Sequence, residues 1–202
     1  PFDLFLLSFW YRIFGISGES YQLFVYILLL LTTISIFFIT KYVFGKKWIF
    51  SFLFYCIFLF PLFLNAEEGE ILIGFFESLL LFLFVIFLKS QKYKWLFMCG
   101  LITGLIYITK QSSFMVVFPL IFVIGIDFFL KRIIFKQLLI RFLTFIFGII
   151  IPIGLVLSYF VFNNGLKDYM YYTITFILGQ YAHSASNIVH TDGLWMVASF
   201  IS

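Results

Sequence analysis

Charge is the scarcest commodity in this sequence. Only 11% of its 202 residues are Asp, Glu, Lys or Arg, against about a quarter in an ordinary soluble domain. There is too little polar material here to cover a water-facing surface. The two cysteines, Cys56 and Cys99, each lie inside an apolar run with no CxxC spacing. That excludes a disulfide framework or a cysteine zinc site, and both read as small buried hydrophobes. The chain has no glycine-rich nucleotide loop, no GxSxG and no HExxH, which removes the common nucleotide-binding, hydrolase and metalloprotease signatures. The net charge of +4 is dispersed between apolar runs, so it forms no basic patch for nucleic acid. No cleavable signal peptide is evident. The chain opens on Pro1 and closes inside an apolar run, Leu194 to Ile201, which reads as a piece cut from a longer protein.

What the sequence has in excess is apolar surface: 64% hydrophobic residues, 33 of them Phe, and a mean hydropathy of +1.15. One water-soluble core of this size cannot hide so much, whereas lipid accepts it. The expected fold is therefore all-α, a polytopic transmembrane helical bundle. Residues 1–15 form an interfacial helix too short to cross a ~30 Å hydrocarbon layer. Six spans follow within residues 21–162: Tyr21–Ile39, Trp48–Leu64, Ile71–Leu88, Trp95–Thr109, Ser113–Leu130 and Phe142–Phe162. Residues 163–193 form a loop with a short helix around Leu166–Leu178, and residues 194–202 begin a further span.

The charges orient this array. Alternate loops hold Lys41, Lys46 and Lys47; then Lys89, Lys92 and Lys94; then Lys131, Arg132, Lys136 and Arg141, ten of the thirteen basic residues. The positive-inside rule assigns those loops to the cytoplasm. Seven of the nine acidic residues fall on the opposite side: Asp3, Glu19, Glu67, Glu68, Glu70, Asp168 and Asp192. The remaining two are Glu77 and Asp127, and Asp127 reads as one half of an ion pair with nearby Lys131.

The densest polar feature is the turn Asn65-Ala66-Glu67-Glu68-Gly69-Glu70 at the outer ends of the second and third spans. Its carboxylates suit a base, a metal ligand or an acceptor for sugar hydroxyls; a solvated turn favouring Glu near a helix N-terminus is the plainer alternative. Glu77 lies about two turns into the third span on the same face as Glu70. A carboxylate at that depth is costly and faces a partner or a wet cavity. Gly100 and Gly104, four apart, favour close helix packing. The short span Trp95–Thr109, about 22 Å of helix, leaves Lys110, Gln111, Ser112 and Ser113 recessed below the outer surface. A lysine beside a capped helix start is a seat for a lipid phosphate, or else it snorkels to headgroups. The outer loop adds Tyr169, Tyr171, Tyr172, Tyr181, His183, His190 and Asp192. His183, His190 and Asp192 match no tight metal spacing.

The Pro-led amphipathic opening that ends Phe14-Gly15-Ile16-Ser17, and the stretch Gly100-Leu-Ile-Thr-Gly104-Leu-Ile-Tyr-Ile-Thr-Lys110-Gln111, resemble the GT-C glycosyltransferases. The likeness is to the branch of protein O-mannosyltransferases and aminoarabinose transferases, and it runs over nearly the whole chain. The resemblance implies an integral protein of a bacterial plasma membrane. Its active face would be extracytoplasmic, and a sugar would pass from a polyprenyl-phosphate donor to a hydroxyl of a lipid, protein or polysaccharide acceptor. Lys110 would hold the donor phosphate, with Gln111, Glu77 and Tyr181 contacting substrate. Glu67, Glu68 or Glu70 would position the acceptor or a divalent metal, to which His183 adds a ligand. The family's catalytic Asp belongs to a region upstream of Pro1. The competing readings are a transporter or flippase component and a non-catalytic membrane scaffold.

Overall fold

A computed structural model of the chain describes residues 2–59, 68–110 and 115–171. Among these residues there is no strand. The helices are α1 (Phe2–Phe14), α2 (Gly18–Phe44), α3 (Trp48–Phe54, continued by a π turn over Tyr55–Leu59), α4 (Glu68–Ser90), α5 (Tyr93–Thr109), α6 (Val117–Phe129), α7 (Phe135–Phe162) and α8 (Leu166–Met170). The chain divides into two compact units, Pro1–Gly154 and Leu155–Ser202.

Three apolar helical stretches are long enough to cross a bilayer: Gly18–Ile57, Glu70–Ser90 and Phe135–Phe162. Phe5–Phe14, Tyr93–Thr109 and Val117–Phe129 are apolar but shorter. Among the described residues the six expected spans are helical except at Leu130, where the fifth has already turned. Only three stretches reach a full crossing by length, because α2 and α3 count as one and α5 and α6 fall short.

In the first unit, α1 stops at Gly15, whose φ of 81° suits a residue without a Cβ. Ser17 then caps α2, its hydroxyl accepting from the Ser20 amide at 3.0 Å. Leu6, Leu7 and Trp10 of α1 pack on the core while Phe5, Phe9 and Ile13 stay exposed. The Trp10 indole donates to the Ser20 carbonyl at 2.9 Å, pinning α1 to the start of α2. Along α2, the hydroxyls of Thr32, Thr33, Ser35 and Thr40 bond back to carbonyls of their own helix. Lipid offers no other partner for them. A tight turn over Gly45–Lys47 reverses the chain, and Phe37 of α2 meets Trp48 and Phe52 of α3 edge-on at 5.0 and 5.5 Å.

The core lies between α2, α4 and α5, centred on Leu80, Phe87, Leu96, Cys99 and Ile106. Helices α4 and α5 run antiparallel; the Cys99 thiol sits 3.9 Å from the Leu80 carbonyl. Helix α7 packs on α5 in the same direction. A Cβ on Gly100 would strike the Phe145 carbonyl and Gly148, and one on Gly104 would meet Ile149 and Pro152. The expected glycine contact is thus a backbone-to-backbone crossing, as in other small-residue membrane interfaces.

The three basic loops meet at one end of this unit. Lys89, at the end of α4, donates to the Tyr42 carbonyl at the end of α2 and lies over the Tyr42 ring at 4.8 Å. Arg141 of α7 donates to the Gln91 side chain in the α4–α5 turn and to Asp127 of α6 at 3.0 Å. Helix α7 begins at Phe135, seven residues before the expected span, so Arg141 is a buried helix residue and not part of a loop. Asp127 pairs with Arg141 and, at 3.7 Å, with Arg132; no Asp127–Lys131 pair is found among the described residues.

In the second unit the end of α7 turns through Asn163, Asn164 and Gly165 into α8, and Phe160 stacks on Tyr169 at 4.5 Å. The expected helix over 166–178 is thus present over Leu166–Met170, and its remainder lies outside the described residues.

Candidate functional site

At the end of the first unit opposite the basic loops, two residues singled out for separate reasons come together. Glu70 stands in the first turn of α4, and Lys110 is the residue on which α5 ends, with extended backbone (φ −148°, ψ 112°). The Lys110 amide still bonds the Ile106 carbonyl at 2.9 Å, which fixes where its side chain leaves the helix. Antiparallel pairing through Cys99 and Leu80 carries both ends to the same level. Lys110 Nζ lies 3.4 Å from Glu70 Oε1. Each charge also sits at the favourable pole of its own helix, the carboxylate at an N-terminus and the ammonium at a C-terminus. The two side chains are 51% and 54% exposed, so both can reach a ligand.

Glu77 is half-buried on α4, about 10 Å deeper than Glu70 at 1.5 Å per residue. Seven residues separate the two, so it shares the Glu70 side of the helix. It forms no salt bridge among the described residues. Thr103 of α5 is fully buried, and its hydroxyl has no hydrogen-bond partner among the described residues. Glu68 belongs to the first turn of α4. Glu67, Gln111, Tyr181, His183, His190 and Asp192 lie outside the described residues. Among the described residues no three His, Cys, Asp or Glu side chains converge as a metal site would require.

The Lys110–Glu70 pairing was not drawn from the sequence, although the signal was there. Two charges of opposite sign flank the same boundary of neighbouring antiparallel spans. The Arg141–Asp127–Gln91 cluster was hidden by placing Arg141 in a loop.

An all-helical bundle with spans of membrane length, three basic loops gathered at one end and an exposed cation–carboxylate pair at the other defines an integral membrane protein with a polar site at a bundle end. The chain belongs to the dolichyl-phosphate-mannose-protein mannosyltransferase family, whose model matches residues 1–159 and so takes in both partners of that pair. Neither the comparison with curated proteins nor that with solved structures gave a match. The protein is accordingly a membrane glycosyltransferase of the GT-C type by family, and the family implies a polyprenyl-phosphate-sugar donor and an acceptor in the membrane.

Proposed function

We propose that the chain carries the donor-phosphate site of an enzyme that moves a sugar from a polyprenyl-phosphate carrier to an acceptor hydroxyl on the extracytoplasmic side. The observation that carries this reading is Lys110, a half-exposed cation at the bundle end opposite the basic loops. By the positive-inside rule those loops face the cytoplasm of a bacterial plasma membrane, which turns the Lys110 end outward. Six crossings fit this arrangement. Helices α5 and α7 run parallel and side by side, so the chain returns between them through α6 despite its 13 residues.

In the reaction the acceptor oxygen bonds the anomeric carbon while the bond from that carbon to the phosphate oxygen breaks. The acceptor proton passes to a carboxylate base, and the lipid phosphate leaves with the bonding electrons. Lys110 stabilises the charge that develops on that leaving phosphate. Gln111 and Tyr181 complete the donor site, and Glu77 receives sugar hydroxyls from below. Glu67 and Glu68 orient the acceptor or hold a divalent metal, to which His183 adds a ligand.

The test is transfer of a radiolabelled sugar from a polyprenyl-phosphate donor in membranes expressing the complete reading frame. Lys110→Ala should lower kcat about 10²–10³-fold, the usual loss for one charge-stabilising donor, and Lys110→Arg should recover part of it. Wild-type membranes inactive with every polyprenyl-linked sugar, or full activity of Lys110→Ala at normal protein level, would transfer the case to a transporter or a scaffold.

A further inference from the structure

The ion pair at the candidate site poses a chemical problem: a lysine meant for a phosphate is already engaged by a carboxylate. At 3.4 Å and about half exposed on both sides, the Lys110–Glu70 contact is loose. Pairs of this kind contribute little to stability, so the fold does not depend on its staying closed. A donor phosphodiester matches the carboxylate in charge and in free oxygens, and its lipid chain and sugar hold it at the site, so it replaces the carboxylate on the lysine when it is bound. We infer that Glu70 is an internal competitor for the donor site. Its carboxylate holds Lys110 while no lipid phosphate is bound, yields to the phosphate on binding, and returns to help expel the lipid monophosphate product.

The return step matters because of charge. The donor is a phosphodiester with one negative charge, while the product monoester carries about −1.5 to −2 near neutral pH. Lys110 therefore holds the product more tightly than the donor, and a site with that preference alone is inhibited by its own product. A carboxylate tethered within reach weakens both, and it does so without diffusing away. The geometry also limits the effect to Lys110, since Glu70 acts by occupying that one ammonium. This inference rests on Lys110 being the donor-phosphate residue, and the experiment separates the two claims.

The probe is a short-chain polyprenyl monophosphate, titrated onto the full chain in nanodiscs made of zwitterionic lipid. Glu70→Gln should bind it about two- to fivefold more tightly than wild type, the range expected for releasing an exposed ion pair. The gain should shrink as salt is raised, because salt already loosens the pair. In the Lys110→Ala background the same Glu70→Gln change should give no gain. A gain that persists there would mean general repulsion of anions and would overturn the exchange. Lys110→Ala weakening the lipid phosphate tenfold while Glu70→Gln binds no better than wild type would overturn the inference and leave the donor site standing. Lys110→Ala binding as tightly as wild type would remove both. Inorganic phosphate should compete only weakly; if it binds as tightly as the lipid phosphate, the ligand is a free anion and the proposal fails.

Discussion

Asp127→Asn should be among the most damaging single substitutions in the chain, although it lies at the end of the bundle away from the proposed chemistry. Arg141 is the sole charged residue among the described residues that is buried, its side chain only 9% exposed, and Asp127 is 17% exposed. Their 3.0 Å contact joins α6 to α7, and the second Arg141 amino group reaches Gln91, so one guanidinium ties three segments together. Its plane also lies over Phe87 at 5.5 Å. Removing one partner of such a pair strands the other and costs about 3–5 kcal/mol. Gln91 and Phe87 still hold the guanidinium, so the lower figure, about 3 kcal/mol, is expected here. For a chain of this size that is a fall in Tm of about 6–12 °C. Arg132 offers a built-in control: it touches the same carboxylate, but at 3.7 Å and 69% exposed. Arg132→Ala should cost less than about 1 kcal/mol. The assay is a double-mutant cycle by thermal unfolding in detergent. Asp127→Asn with Arg141→Gln should cost less than the two singles together, because neither charge is then left alone. Arg132→Ala matching Asp127→Asn, or strict additivity of the cycle, would refute the argument.

Three further outcomes follow from the packing. Gly148→Ala should destabilise by about 1–3 kcal/mol, since its Cβ would lie 2.5 Å from the Phe97 carbonyl oxygen and 2.9 Å from the Gly100 Cα, neither of which can swing aside; Gly125→Ala, with nothing within 4 Å, is the matching control and should be neutral or stabilising. Thr103→Val should leave stability unchanged or raise it by about 1 kcal/mol, because it removes a buried hydroxyl without a partner among the described residues. A clear loss of Tm would show that the hydroxyl is bonded. Trp10→Phe keeps the ring but loses the indole bond to Ser20, and should cost about 1 kcal/mol while speeding proteolysis of the α1–α2 connection; unchanged cleavage would mean that the bond does not hold α1.

The fold class was legible because lipid as solvent leaves so few options. A chain this apolar with charge confined between runs must be a helical bundle, and the three alternate connections do meet at one end, where Lys89 reaches Tyr42 and Arg141 reaches Gln91 and Asp127. Span count was less legible. Hydropathy locates apolar stretches, but helix length depends on where caps and turns fall: α2 runs on to Phe44, past the expected end at Ile39, and α7 starts well before its apolar part. The Gly100–Gly104 spacing announced a close crossing but not its partner, since a glycine pair records only that some backbone approaches. At the site, Lys110 and Glu70 were each visible as charges at a membrane boundary. Their pairing needed the register of α4 against α5, which residue spacing alone does not supply. Glu67, Gln111, Tyr181 and His183 lie outside the described residues, and their roles rest on the sequence.

With the family established, the decisive question is which side of the membrane the Lys110–Glu70 end faces. Lys110→Cys and, separately, Lys46→Cys, each in a background of Cys56→Ser, should be treated in intact cells with a membrane-impermeant thiol reagent; Cys99 is buried and stays silent. Labelling of the Lys110 position from outside, with the Lys46 position labelled only after permeabilisation, is the predicted result. Labelling of the Lys46 position from outside, with the Lys110 position protected until the cells are opened, would contradict the account.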